Sequence, residues 1–315
     1  MTDVLVAGTL ITCLVIALFA VVGPRLARRL PPAAATRLLV PASLVVAGSS
    51  VWVLVVVAFT WVAQWPAVSR YGQWSAEELR ADMPFPTVVP VGCCLLALLA
   101  VARATTRGTR RVRVLLAVRQ SCRGIGAPGS LVVLDNDRPD AFATPGAHGR
   151  IVVTRGLLRA LSADERRALL AHETAHLAHR HVWWLLAAEL AAAANPMLAP
   201  TARAVTHAVE RWADEDAARA VTDRRLVART LARTALLIRA SPDRPVSPAA
   251  VGGDVPERVR ALLEPPPRPR VVPLAVLVVL LLATTVAAGA VQRRGDQLLD
   301  QASGAATVAR HRTVR

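Results

Sequence analysis

Four stretches of this chain carry no charged residue for long enough to cross a lipid bilayer, and this limits its possible folds more than any other feature. They are Val4–Val22, Leu38–Trp65, Pro84–Ala102 and Val271–Val291. At 1.5 Å of rise per residue, each reaches across a hydrocarbon layer about 30 Å thick. Soluble cores rarely need several charge-free helices of that length, and 54% apolar residues is more than an ordinary soluble domain carries. The sequence therefore predicts transmembrane helices over about 4–22, 38–63, 85–102 and 271–291. The first run lacks a basic leader and a small-residue cleavage site, so it is expected to be an anchor and not a removable signal peptide.

The net charge of +16 rests on arginine alone, because the chain has no lysine. Arg25, Arg28, Arg29 and Arg37 fill the first connection with no acid among them. In the second, Arg70 and Arg80 are outnumbered by Glu77, Glu78 and Asp82. Arg103, Arg107, Arg110, Arg111, Arg113, Arg119 and Arg123 then follow the third run without an acid. Arginine is retained on the cytoplasmic side of a plasma membrane, which predicts a cytosolic domain over 104–268. The N-terminus and a short tail over 292–315 are then extracytoplasmic, although Arg293 and Arg294 sit at the less favoured end of the last run. Trp61, Trp65, Tyr71 and Trp74 gather at the outer end of the second run, where amphipathic rings favour the headgroup level. Arginines placed beside apolar runs suit anionic lipid headgroups, and no direct contact with nucleic acid is expected. Cys13, Cys93 and Cys94 fall inside spans and Cys122 stands alone, so neither disulfides nor a thiolate metal site are expected.

Within 104–268, short β-like runs at 130–135, 141–144 and 150–154 are separated by Pro and Gly turns. Ser162 followed by Glu165 is a capping-box signature, which starts a helix near Ala163 that continues to about His181. The apolar segment 182–200 contains Glu189 and ends at Asn195-Pro196. A carboxylate at mid-membrane is costly, so a membrane-apposed helix and turn is expected there instead of a full span. A second polar helix is read over 206–240, and a stiff Pro/Arg hinge over 265–270 leads into the last span. The expected fold is a multi-pass α-helical membrane protein with a cytosolic, mainly α-helical α+β domain.

The chemistry centres on "AHETAHLAHRH" (171–181). Positions i and i+4 of a helix stand on one face, so His172 and His176 can converge on one metal ion. Glu173, one residue round, can reach a water on that metal without binding it, which is the arrangement that hydrolyses peptides. Four of the seven histidines crowd into 172–181, which weighs against an ordinary surface helix. A catalytic zinc needs a third protein ligand and an open position. A histidine six residues after His176 is excluded, because position 182 is valine. Glu210 in "VERWADED" fits, and Asp214 one turn on can accept a hydrogen bond from a ligand histidine. Glu215 and Asp216 read as a solvated face. His179 and His181 read as membrane-surface residues, since a fourth histidine ligand closes the open position. His207, one turn before Glu210, is a candidate transition-state donor, and His148 belongs to the turn before 150–154.

The stretch "DAFATPGAHGRIVVTRGLLRALSADERRALLAHETAHLAHRH", with E-x-x-A-D at 210–214, resembles the gluzincin membrane metallopeptidases. These include the HtpX/Ste-type proteases and the BlaR/MecR-type antirepressors. The order of three spans, a protease domain and a fourth span is closer to the second group, as is Asn195-Pro196 between the two motifs. The resemblance implies a zincin-like metalloprotease domain, one Zn2+ per chain on His172, His176 and Glu210, Glu173 as general base, and Asp214 in support. It also implies that "VPERVRALLEP" is a late arginine motif in which Arg258 contacts the oxyanion or substrate carbonyl. The alternative is that Arg258 is one more arginine of a basic surface. With so little sequence after the last span, the penicillin-sensor domain of the antirepressors is not expected.

The expected activity is zinc-dependent endopeptidase action on a protein or peptide, with the strand at 149–154 pairing to the substrate backbone. Two substrates stay open: a cytosolic winged-helix repressor in a signal relay, and membrane proteins clipped for quality control. A non-catalytic basic membrane anchor or receptor is the remaining alternative, and it assigns no purpose to the spacing of His172, Glu173, His176 and Glu210.

Overall fold

The computed structural model describes residues 3–83, 85–121, 131–143, 149–240, 254–265 and 271–313. Four helices are long and apolar enough to cross a membrane: α1 (Asp3–Arg29), α2 (Pro32–Val62), α5 (Val88–Ser121) and the last helix, α12 (Val271–Thr313). α1, α5 and α12 outlast their charge-free runs, because the arginine-bearing turns that follow contain nothing to stop a helix, whereas α2 begins before its run and ends at Val62. Residues 292–313, read from sequence as a tail, continue α12. Leu298 and Ala302 are buried there against Leu79 and Trp74 of the second connection. That connection holds two short helices, α3 (Pro66–Gly72) and α4 (Ala76–Ala81), and the Ser75 amide donates to the Ala302 carbonyl at 3.0 Å.

The apolar segment after the metal motif forms α8 (His181–Ala194), a turn at Asn195, a 3-10 turn (Pro196–Leu198) and the returning α9 (Ala199–Val221). α8 packs on α2 and α5, and α9 on α1 and α2, around one cluster with Phe19, Leu26, Leu39, Val46, Leu198 and Val209 buried. Between apolar helices in lipid the association is driven by close packing, which small side chains permit. Alanines dominate α8, and a Cβ on Gly23 of α1 would come within 2.5 Å of Thr201 Oγ1 on α9. Asn195 and Arg103 meet polar groups at the apex. Asn195 Oδ1 caps the Met197 amide at 3.1 Å and its Nδ2 reaches Ser50 Oγ at 3.2 Å, while Arg103 Nε donates to the Ala193 carbonyl at 3.3 Å. Ser50 lies near the middle of α2, so the apex sits well inside the bundle. Glu189 has a partner too, Arg111 on α5, at 3.7 Å. Because α8 leads in and α9 leads out, both halves of the metal motif lie at the same end.

Outside the bundle, β1 (Leu131–Leu134), β2 (Ala141–Ala143) and β3 (Ile151–Thr154) form a sheet in the order β1-β3-β2. β3 runs parallel to β1 and antiparallel to β2. This corrects the expectation that the strand at 149–154 pairs with substrate, since β3 is central and both its edges are taken. The available edge beside the site belongs to β2. The Thr154 amide donates to the Asp140 carbonyl, which sets the phase of the β2–β3 ladder and turns the peptide groups of Ala141 and Ala143 away from β3.

After α6 (Arg155–Ala160), the capping box forms both ways: the Glu165 amide donates to Ser162 Oγ at 3.3 Å, and the Ser162 amide to Glu165 Oε2 at 2.8 Å. The helix it starts, α7 (Ala163–Ala178), stops short of His181, because Arg180 turns left-handed at φ 51°. The second polar helix is likewise two, α9 and α10 (Arg224–Arg239). Thr222 is left-handed at φ 57°, and the Asp223 carboxylate caps the Leu226 amide at 2.9 Å. A final short helix, α11 (Val255–Leu263), brings Arg258 back to α9. His148, Cys122 and the greater part of the 265–270 hinge lie outside the described residues.

Candidate metal centre

His172 and His176 lie one turn apart on α7 with their Nε2 atoms 3.1 Å from each other. Glu210 of α9 enters from the side, with Oε2 3.7 Å from His172 Nε2 and Oε1 3.7 Å from His176 Nε2. The three donor atoms fall within 4.8 Å of one another. Their protonation tests whether a metal fits. His172 Nδ1 lies 3.0 Å from Asp214 Oδ1, so Nδ1 carries the proton and Nε2 offers a lone pair. Two imidazole nitrogens and a carboxylate thus converge on one point, and a bound cation satisfies all three donors together. Mixed nitrogen and oxygen donors of this kind suit a zinc-like divalent ion.

The support behind these ligands is ionic and buried. Arg258 forks onto Asp214, with Nε to Oδ2 at 2.8 Å and Nη2 to Oδ1 at 2.7 Å, and its Nη1 reaches Glu210 Oε2 at 3.0 Å. The Asp214 side chain is 3% exposed and that of Arg258 9%. Burial alone opposes a charge on Asp214, but Arg258 and the His172 hydrogen bond overcome it and hold the carboxyl well below its ordinary range. Burial likewise disfavours a charge on His172, and Asp214 with Glu210 outweighs it, so this imidazole is raised. His176, buried and next to His172 and Arg258, is pushed down to about 3. Burial raises the Glu173 carboxyl, with Glu210 adding to the effect against His172 and Arg258.

A cavity of about 340 Å³ opens on this centre. Glu173, His172, His176 and Glu210 line it, together with Phe142 of the β2 edge and Trp183 of α8. Six residues singled out in the sequence, His172, Glu173, His176, Glu210, Asp214 and Arg258, therefore meet here. The guanidinium of Arg258 is engaged by Asp214 and Glu210 and is buried, unlike a residue of an exposed basic surface. His207 does not join them: its Nδ1 contacts the Asp254 carboxylate and its Nε2 lies 3.9 Å from Glu257.

Four residues have surroundings that sequence reasoning missed. His181 is 1% exposed, and its Nδ1 lies 2.9 Å from Nδ1 of His176. His179 bonds Asp216 at 2.5 Å and stacks on Trp212, ring centres 4.4 Å apart. Both histidines are engaged by the protein itself. Glu215 and Asp216 are not a solvated face either, since Glu215 is bound by Arg224 and Asp216 by His179. The missing signal was the break at Arg180. A non-glycine residue in the left-handed region costs roughly 1–2 kcal/mol, and nothing in the periodicity of 163–181 announces it.

Comparison with known proteins agrees with this geometry. Residues 109–234 match the model of Peptidase family M48. A protein described as "Protease HtpX homolog" from Aeropyrum pernix is 49% identical over 76 residues, 23% of this chain and 24% of that protein. Proteins of the same description from Thermoplasma acidophilum and Acidiphilium cryptum are 53% identical over 57 residues and 47% over 55. Those matches cover 18% of this chain and 18% of the first protein, and 17% of this chain and 19% of the second. The chain thus spans about a quarter or less of the length of the curated relatives it matches. No solved structure matches it. The resemblance read from the motifs stands on both comparisons: the chain is similar to HtpX-type membrane metallopeptidases.

Proposed function

We propose that this chain is an integral membrane zinc-dependent endopeptidase, with zinc on His172, His176 and Glu210. The observation that carries the reading is the convergence of three donors from two helices beside Glu173, on a cleft edged by a strand. Zinc would supply Lewis-acid polarisation of the scissile carbonyl and a water acidic enough to react near neutral pH. Glu173, its carboxyl raised by burial, takes a proton from that water and returns it to the leaving amine. Asp214 fixes the tautomer of His172, and Arg258 holds Asp214 and Glu210 in place, so Arg258 acts through the ligands and not on the oxyanion. On the outer edge of β2 the Ala141 amide is held by Asp140 Oδ1 at 3.0 Å, and the Ala143 amide pairs with an extended substrate by strand addition.

The domain is cytosolic in this reading, with both termini outside. The acid-free arginine clusters support that orientation, and the Ser75–Ala302 contact supports a common side for the second connection and the end of α12. The exposed arginines of α5 meet anionic headgroups. Of the two substrates, a membrane protein cut beside the bilayer is favoured over a cytosolic winged-helix repressor. Trp183, Leu185 and Leu115 give the cleft an apolar wall that continues into α8 and the bundle. A Glu173→Gln protein should keep one zinc per chain and lose cleavage by about 10²–10⁴-fold. Undiminished cleavage by that variant rejects the assignment, and a chain that purifies with no stoichiometric metal is the basic anchor instead.

A further inference from the structure

We propose that His181 is a positioning residue for the metal ligand His176, accepting the Nδ1–H of that imidazole and so turning its Nε2 to the metal. The inference rests on the metal-centre reading above. A histidine that binds metal through Nε2 keeps its proton on Nδ1, and that proton needs an acceptor. For His172 the acceptor is Asp214. For His176, the atom within reach is His181 Nδ1, at 2.9 Å, with the two rings at 87° and their centres 4.8 Å apart. The opposite direction of donation puts a proton on His176 Nε2, facing His172 Nε2 at 3.1 Å, and is incompatible with both binding one ion.

The surroundings of His181 are built to hold it there. Arg180 in the left-handed region reverses the chain between α7 and α8, which drops the first residue of α8 beneath the last turn of α7. The ring is enclosed, with Trp212 at 4.9 Å and tilted by 55°. Trp212 is in turn stacked on His179 and covered by the Arg37 guanidinium at 4.5 Å. With Nδ1 accepting, His181 carries its proton on Nε2, and that nitrogen is buried without a hydrogen-bond partner among the described residues. A packing residue at this place would leave no such orphan; a ring held for its Nδ1 does. His181 thereby gives His176 a neutral acceptor, where His172 has an anionic one.

The test is metal affinity of the purified full-length protein in detergent, measured by chelator competition, with the visible spectrum of the cobalt-substituted form as second readout. His181→Leu removes the acceptor, His181→Asn returns an oxygen near the Nδ1 position, and His181→Gln places its oxygen a carbon further out. Zinc binding by His181→Leu should weaken about 10–100-fold with a changed cobalt spectrum, as loss of such partners does elsewhere. His181→Asn should stay within a few-fold of wild type. Wild-type affinity and spectrum in His181→Leu overturn the proposal, and so does a loss in His181→Asn equal to that in His181→Leu. Should His181→Leu fail to fold, the two amides decide: Asn must bind at least about tenfold tighter than Gln, and equal affinities overturn the proposal. A wild type that binds metal but cuts nothing defeats only the peptidase reading. Full affinity in every 181 variant of an active enzyme defeats only this one, and a wild type that binds no metal defeats both.

Discussion

Replacing Arg258 by methionine keeps an unbranched apolar stem and removes the guanidinium that Asp214 and Glu210 share. Asp214 then keeps only His172, at 3.0 Å, and loses two hydrogen bonds of 2.7 and 2.8 Å. With side-chain exposures of 3% and 9%, solvent cannot replace the lost partner. Removing one member of a buried ion pair costs about 3–5 kcal/mol, because the other charge is left uncompensated. At about 1.5 °C per kcal/mol for a chain of 315 residues, melting in detergent should fall by roughly 5–8 °C at pH 7. The sign of the pH dependence follows from the depressed Asp214 carboxyl. Its stabilising contribution in the wild type is present above its unfolded value, about 3.8, and is lost as pH falls through the lower folded value. In Arg258→Met, burial is no longer opposed by the guanidinium and raises that carboxyl, so the deficit is widest near neutral pH and narrows on acidification. Adding Asp214→Asn removes the orphaned charge but keeps an acceptor for His172, and should recover more than half of the loss. Melting of Arg258→Met within about 1–2 °C of wild type at pH 7, or a double variant no more stable than the single one, refutes this electrostatic reasoning.

Other substitutions probe the frame around the site. Gly23→Ala should destabilise the bundle by about 1–3 kcal/mol in detergent unfolding, since the new methyl meets Thr201 Oγ1 at 2.5 Å; adding Thr201→Ala should restore it, and no rescue contradicts that crossing. Ser162→Ala removes the hydroxyl half of the capping box and should cost about 1 kcal/mol without changing metal content. Ala143→Pro deletes an amide on the outward edge of β2, so KM should rise several-fold while zinc stays at one per chain; unchanged KM argues against strand addition there.

The centre was largely legible because its chemistry is helical. The spacing of His172 and His176, Glu173 between them, and Glu210 one turn before Asp214 all follow from 3.6 residues per turn. Arg258 came only through resemblance, because no local pattern ties α11 to α9 across 44 residues. What stayed hidden was decided by single backbone reversals and by tertiary order. Arg180 and Thr222 each turn left-handed inside stretches whose periodicity runs on, so α7 was carried on to His181, α9 and α10 were read as one helix, and His181 was sent to the wrong surroundings. Strand order is likewise absent from local sequence, which is why β3 was read as the substrate's partner and β2 was not. For 182–200 the expected helix and turn form, and the partner that Arg111 gives Glu189 is a tertiary contact that local sequence does not show.

Zinc content per chain, measured together for the wild type, Glu173→Gln and Glu210→Ala, tests the central claim most directly. One tightly held zinc is predicted in the first two proteins and its loss in the third. If Glu210→Ala keeps a full, tight zinc, the ion is not gripped between α7 and α9, and the mechanism built on that grip is wrong.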